Sequence, residues 1–304
     1  MASLPTLPLT ACSVVVRFAP SPTGPLHEGH YVSAAFARDA GQTLAKKLGV
    51  SSRFLLRIED IDPVRCKPEY TQQIVNDLSA RGFSWELPVR IQSEHLSDYQ
   101  QALDTLQQKG LLYACFCTRK DIRDHVGNIT RAPHQEDLPP PYPGTCRTLN
   151  SDQVQRKMSD NIPFALRLHM NKALEYLVDV QSTTMTNGDQ RDTQNSAAML
   201  MWRDLDQGEI ITTPDLLRAD FGDVILARKD TPTSYHLAVT VDDALQGVTL
   251  VTRGDDLRRV THIHRLLQSL LDLPTPNYQF HPLILGPDGK KLSKRNALTT
   301  TPTQ

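Results

Sequence analysis

A chain of 304 residues with 39% hydrophobic and 22% charged side chains has apolar material for one large or two modest cores and needs no disulfide staples to hold them. Its formal charge of -1, from 33 basic and 34 acidic residues, leaves a nucleic-acid partner open, because such a partner needs a basic face and not a basic whole. No apolar run is long enough to span a bilayer, so no membrane partner is expected.

Met1 to Ser13 lacks the positive n-region of a secretory signal and the Arg-rich character of a transit peptide, and residues 1–12 read as a disordered tail. The five cysteines, an odd number with no leader before them, point to a reducing compartment and a cytoplasmic protein. Val14 to Phe18 is a β-branched run that reads as a buried strand, ending in a loop constrained by Pro20, Pro22, Gly24 and Pro25. An Ala-, Leu- and Lys-rich helix follows His27-Glu28-Gly29-His30 and stops at Gly49. Phe54 to Ile58 is the next strand. Strand, loop, helix, strand is a βαβ unit, hence a parallel sheet and an α/β, Rossmann-like fold.

Helices are expected over 67–82 and 94–110, and an irregular Pro-rich insert over 128–148. A strand is expected at 164–168, and a polar, disordered-looking stretch at 181–196 within an insert reaching 213. Strands resume near 223–228 and 248–253. The helix expected over 255–273 has Val260, Ile263, Leu267 and Leu270 on one face, and Arg258, His262 and Arg265 on another that reads as solvated. A turn at 286–289 leads into a basic loop from Lys290 to Arg295, and the end from Thr299 reads as frayed. These elements divide the chain into a tail (1–12), the first half of the α/β domain (13–112), an insertion (113–150), the second half (151–285), and a loop with a short end (286–304).

His27 and His30 share one face of the first turn of a helix, where free backbone N–H groups and the helix dipole favour phosphate, and Gly29 lets a ligand approach the backbone. Imidazoles placed there suit attack on an ATP α-phosphate with loss of pyrophosphate. Far downstream, Lys291-Leu292-Ser293-Lys294-Arg295 is a cationic loop suited to closing over a triphosphate. Alone, the first motif reads equally as surface histidines, and the second reads more readily as a solvated basic loop. Cys115-x-Cys117 with Tyr142-x-x-x-Cys146 supplies three zinc-type ligands, and the 28 residues between Cys117 and Cys146 are a workable loop for one metal to close. On residue types alone the same cysteines fit small buried side chains equally well.

The two phosphate motifs together resemble the HIGH and KMSKS signatures of class I aminoacyl-tRNA synthetases. Arg17 to Gly24, Arg57 to Asp62, Tyr235 to Val239, Val241 to Thr249 and Arg253 to Leu257 are similar to the glutamyl branch of that family. The resemblance covers most of 14–150 and 220–296, and is nearest to the short paralogs that lack an anticodon-binding domain and act on the queuosine of tRNA(Asp). It implies a class I (HUP-type) catalytic domain with a small zinc-binding insertion, and ATP carrying Mg²⁺, L-glutamate and queuosine-bearing tRNA(Asp) as partners of a monomer. It also implies His27, His30 and Lys294 as catalytic groups, with Gly29, Lys291 and Ser293 joining them around ATP. Arg17, Ser21, Glu59, Tyr235 and Arg253 would contact glutamate. Cys115, Cys117, Tyr142 and Cys146 would hold one structural zinc, with His125 or His134 as alternatives to Tyr142.

Physical chemistry agrees with that assignment. A glutamate pocket needs cations for two carboxylates and an anion for one ammonium, because buried unpaired charge is costly. Arg17 and Arg253 end predicted strands, where open α/β sheets bind ligands, and Glu59 ends the strand between them in sequence. Only nine residues follow Arg295, which implies weakened tRNA contact. Three rivals remain open: a fragment of an ordinary glutamyl-tRNA synthetase, a nucleotidyltransferase, and a catalytically silent tRNA-binding module.

Overall fold

The computed structural model describes residues 12–126, 141–184 and 198–283. The expectations for the N-terminal tail, for 185–196, for most of the Pro-rich insert and for the Lys290–Arg295 loop lie outside the described residues.

Strand β1 (Ser13–Phe18) is followed by helix α1 (Glu28–Leu48) and strand β2 (Ser51–Ile58), which pairs with β1 in parallel, with Val16 opposite Phe54. Val14 and Val16 pack under α1 against Leu44 and Ala45, while Val15 faces Val251 and Tyr278 on the other side of the sheet. A strand buried on both faces is what the unbroken Val14-Val15-Val16 run encodes, and each such side chain contributes roughly 1.5–3 kcal/mol. Close approach of α1 is possible because residue 41 is glycine: a Cβ there would lie 2.9 Å from Val16 Cγ2. Gly49 ends α1 at φ 70°, the left-handed conformation that glycine adopts without strain.

Helix α2 (Pro68–Ala80) leads to β3 (Glu86–Ile91), the third parallel strand, and then to α3 (Leu96–Gln108). Strand β4 (Leu112–Cys115), helix α4 (Arg119–Val126), helix α5 (Ser151–Ser159), strand β5 (Ala165–Leu168) and helix α6 (Met170–Thr184) follow. Strands β6 (Leu200–Asp204) and β7 (Gly208–Thr212) form an antiparallel hairpin. Over its described part, residues 200–212, this corrects the reading of 181–213 as a polar insert: Leu200 and Trp202 point into the core. Short helix α7 (Pro214–Leu216) precedes β8 (Ile225–Ala227), which joins β4 and β5 in an antiparallel sheet of order β4-β5-β8.

Helix α8 (Tyr235–Leu245), strand β9 (Leu250–Gly254), helix α9 (Thr261–Leu270) and strand β10 (Asn277–His281) complete the described residues. β10 pairs in parallel with both β9 and β6. β9 lies beside β1, with the Thr249 amide donating to Val15 O at 3.0 Å and the Val15 amide donating to the Thr249 hydroxyl at 2.9 Å. The parallel sheet therefore runs outward from β1 to β2 and β3 on one side, and to β9, β10 and β6 on the other. The gap between the ends of β1 and β9 is a topological switch point.

α9 differs from the expected helix over 255–273. It spans ten residues after a 3-10 turn at Asp255–Leu257, and its supposed solvated face is largely covered. His262 is buried against the Thr212 hydroxyl at 2.6 Å, Arg265 donates to Met201 O at 2.7 Å, and Arg258 pairs with Asp204 and Asp255. The β6–β7 hairpin supplies these partners except Asp255, which lies in the 3-10 turn itself. No helix among the described residues is long and apolar enough to cross a membrane.

Candidate active site

The switch point opens into a cavity of about 590 Å³. On one side it is lined by Arg17, Ser21, Glu59, Tyr235 and Arg253, the residues that the resemblance assigns to glutamate. His27, Gly29 and His30 line another part of the wall. Lys291, Ser293 and Lys294 lie outside the described residues.

His27 caps α1 in an extended conformation, and its amide donates to His30 Nδ1 at 3.1 Å, with the two rings 3.8 Å apart. His30 thereby carries its proton on Nε2 in the neutral form, which makes that nitrogen a donor. Ser33, one turn on, donates to Gly29 O at 2.9 Å, and its Oγ lies 2.9 Å from His281 Nε2. Glu28, between the motif histidines, pairs with Arg81 at the end of α2, and the Arg81 guanidinium stacks 3.7 Å over Tyr31. These contacts tie the first turn of α1 to β10 and α2.

Beneath the cavity floor lies a buried charge network. Asp243 of α8 accepts from Arg17 Nε at 2.8 Å and from Arg57 Nη1 at 2.8 Å. Arg57 is wholly buried and also donates to Glu59 at 3.2 Å and Gln246 at 3.0 Å. The neighbouring Asp242 accepts from Arg90 at 2.6 Å, from Gln92 at 2.7 Å and from Tyr99. Burial pushes the Asp243 carboxyl up, but Arg17 and Arg57 prevail and hold it at about 2. Burial prevails at Glu59 and raises its carboxyl, with Arg57 and Arg17 pulling the other way. Burial likewise raises the Tyr235 phenol.

Arg253 differs from Arg17 and Arg57. Among the described residues it forms no ion pair. Its Nη1 meets His264 Nδ1 at 2.6 Å, and its buried Nε has no hydrogen-bond partner. Burial pushes His264 well below the usual imidazole range, with Arg253 and His236 adding to the shift, so the group facing Arg253 is neutral.

Away from the cavity, the Sγ atoms of Cys115, Cys117 and Cys146 lie within 4.8 Å of one another. Cys117 and Cys146 are 3.5 Å apart, and Tyr142 Oη sits 3.2 Å from Cys117 Sγ while accepting from the Cys146 amide at 2.8 Å. Thiolates on a tetrahedral zinc stand about 3.8 Å apart, so the cluster fits a soft divalent ion. Burial pushes the Cys117 thiol up to about 11. Burial acts the same way on Cys146, but the Tyr142 hydroxyl and the Phe116 amide outweigh it and lower that thiol. Asp223 anchors this knob by accepting from Arg147 and Tyr113, both at 2.6 Å, and from the Met170 amide at 2.9 Å. The alternative ligand His134 and the side chain of His125 lie outside the described residues.

Sequence reasoning missed Asp243, Arg57, His264 and His281. Asp243 and Arg57 sit inside quoted segments, where only a preference for pairing buried charge could have singled them out. His281 carries no local signal, and it reaches the cavity because β10 inserts between β9 and β6.

Residues 13–187 and 190–303 match the family described as tRNA synthetases class I (E and Q), catalytic domain. The chain belongs to this family of glutamyl- and glutaminyl-type class I synthetases. It is 42% identical over 288 residues to the glutamyl-Q tRNA(Asp) synthetase of Rhodobacter capsulatus, covering 93% of this chain and 91% of that one. The glutamate-tRNA ligase of Coprothermobacter proteolyticus is 34% identical over 283 residues, 93% of this chain but 53% of that enzyme. Among solved structures, the glutamate-tRNA synthetase of Elizabethkingia anophelis shares the fold at TM-score 0.68 and 24% identity, and this chain spans about half of it (53%).

Proposed function

We propose that the protein activates glutamate with ATP as glutamyl-adenylate and transfers the glutamyl group to the queuosine base of tRNA(Asp). The observation that carries the glutamate step is Arg253, a buried guanidinium with no acidic partner among the described residues, lining the same cavity as Glu59. A buried cation left uncompensated is unfavourable until an anion arrives, and an anionic wall group is suited to an ammonium.

In this reading Arg253 takes one glutamate carboxylate, while Arg17, held by Asp243, and Tyr235 orient the rest of the substrate. Glu59 and Ser21 receive the ammonium end. Orientation of this kind supplies much of the rate. A carboxylate oxygen attacks the α-phosphorus of ATP, the bond to the bridging oxygen breaks, and pyrophosphate leaves. His27, His30 and the α1 amides hold phosphate oxygens as charge spreads, with Lys294 arriving from the downstream loop. Mg²⁺ accompanying ATP neutralises part of the triphosphate charge. A queuosine hydroxyl then attacks the activated carbonyl and AMP departs.

The queuosine-directed step rests on Arg57 to Asp62, on Arg253 to Leu257, and on relatives named glutamyl-Q tRNA(Asp) synthetase, among them one of which this chain covers 91%. ATP–pyrophosphate exchange tests the assignment. Exchange is expected with glutamate alone, without tRNA. Exchange only with tRNA would favour an ordinary glutamyl-type enzyme, and none under either condition would leave a silent binding module.

Cys115, Cys117, Cys146 and Tyr142 are assigned to one structural zinc, in a monomer working in the cytoplasm. Protein purified without chelator is expected to contain about one zinc per chain by elemental analysis, falling to two-thirds or less in Cys146→Ser. Metal-free wild type that folds normally would remove zinc from the assignment.

A further inference from the structure

We propose that His264 and His236 form a positioning relay that aims the Arg253 guanidinium into the cavity without placing a carboxylate in direct contact with it. The inference rests on the glutamate-activating reading and goes beyond it by naming what sets the carboxylate receptor.

The hydrogen bonds fix the proton positions. Arg253 Nη1 can only donate, so His264 Nδ1 must accept, at 2.6 Å. The neutral ring then carries its proton on Nε2, which lies 3.2 Å from His236 Nδ1. His236 Nδ1 accepts, and its own proton sits on Nε2. A single direction of donation runs from Arg253 through His264 to His236. Burial pushes His236 down to about 4, with Arg253 adding to the effect, and His264 lies well below its ordinary value, so both rings stay neutral where enzymes work.

Packing holds the relay in register. His264 is buried on α9, His236 lies in the first turn of α8, and their rings are 5.3 Å apart, with Tyr235 stacking edge-on against both. Tyr278 lies below Arg253, its ring centroid 6.0 Å from the guanidinium carbon. Arg253 is thus steered from β9 by two helices.

A neutral acceptor does what a carboxylate could not. Arg17 and Arg57 share Asp243, and Arg57 also pairs with Glu59, which fixes their geometry but balances their charge. An aspartate in place of His264 would hold Arg253 equally well and compete with the incoming substrate anion. Imidazole supplies the hydrogen bond without the charge, so the attraction is left for the ligand.

The test is glutamate-dependent ATP–pyrophosphate exchange by wild type, His264→Leu, His264→Gln and His264→Glu, each checked for folding by thermal unfolding. His264→Leu is expected to raise the glutamate KM about ten- to a hundredfold, with the ATP KM within about twofold of wild type. Gln can accept from Arg253 through its carbonyl and donate through its amide, so it should restore the glutamate KM to within a few-fold. Glu should hold the guanidinium and still raise the KM, which a purely structural role for His264 does not predict.

An unchanged KM in the Leu variant, an equal change for both substrates, or a Glu variant as good as Gln would overturn the relay. Wild type without glutamate-dependent exchange would defeat the functional reading instead. The relay would then be judged by imidazole ¹⁵N spectra, where protons on Nε2 and bare Nδ1 in both rings at neutral pH support it and an imidazolium in either ring overturns it.

Discussion

Asp243→Ala is expected to abolish glutamate activation and to destabilise the protein by about 3–5 kcal/mol, the effect of removing one partner from a buried charge cluster. Asp243 touches both Arg17 and Arg57, and Arg57 is fully enclosed. Without it, Arg57 keeps Glu59 at 3.2 Å and a more distant contact with Asp242 at 3.7 Å, while among the described residues Arg17 keeps only the Thr252 carbonyl as a hydrogen-bond acceptor. Arg17 would then be free to turn, and the substrate-facing geometry would go with it. Asp243→Asn separates the two effects, because the amide preserves volume and one acceptor but removes the charge.

The pH dependence has a definite sign. The folded carboxyl sits at about 2, below its ordinary 3.8. Its contribution, about 2 kcal/mol, is therefore present above pH 4 and is lost as pH falls towards 2. Urea unfolding at pH 7 and at pH 3 is expected to show a smaller acid loss in Asp243→Asn than in wild type. Equal acid sensitivity, or full activity in Asp243→Ala, would mean that Asp243 does not organise the arginines.

What was legible in the sequence is what neighbouring residues decide together. Val14 to Phe18, the helix closing at Gly49, and His27-Glu28-Gly29-His30 at the junction are local patterns, and β1, α1 and the capped first turn follow them. The hairpin of β6 and β7 was hidden because its outward positions are themselves apolar: Met201 and Ile211 face each other across the strands and are exposed, which blurs the alternation. From sequence His262 reads as polar surface, because a histidine on a helix gives no sign of what covers it. Thr212 and Trp202, some 50 and 60 positions away in sequence, do so here. The same limit hid the counter-ion role of Asp243, whose partners are separated from it by 226 and 186 positions. Arg17, Glu59 and Arg253 were legible as a set because strand ends and charge are both local, whereas what holds each one is tertiary.

Glu59→Gln is expected to raise the glutamate KM at least about thirtyfold, the lower end of what truncating a buried charge pair produces, and at the same time to leave the ligand-free protein more stable. Glu59 lies at the end of β2 with its carboxyl against Arg57, and burial pushes that carboxyl above its ordinary range despite the pull of Arg57 and Arg17. A carboxyl raised by folding stabilises most below its unfolded pKa, and that contribution is lost as pH rises through the folded value. When ionised, the side chain is therefore a net burden on the empty site. Glutamine does not ionise, keeps an oxygen for Arg57, and removes that burden. Substrate reverses the balance, since an ammonium in the cavity favours ionised Glu59 and has nothing to pair with in the variant. Thermal unfolding at pH 7 should rank the variant above wild type without glutamate, and saturating glutamate should raise the melting point of wild type far more than that of Glu59→Gln. As pH falls, the wild-type glutamate KM should rise as Glu59 takes up its proton, while the variant's stays flat over the same range. A variant that binds glutamate as wild type does, or that melts lower in its absence, would place the ammonium elsewhere.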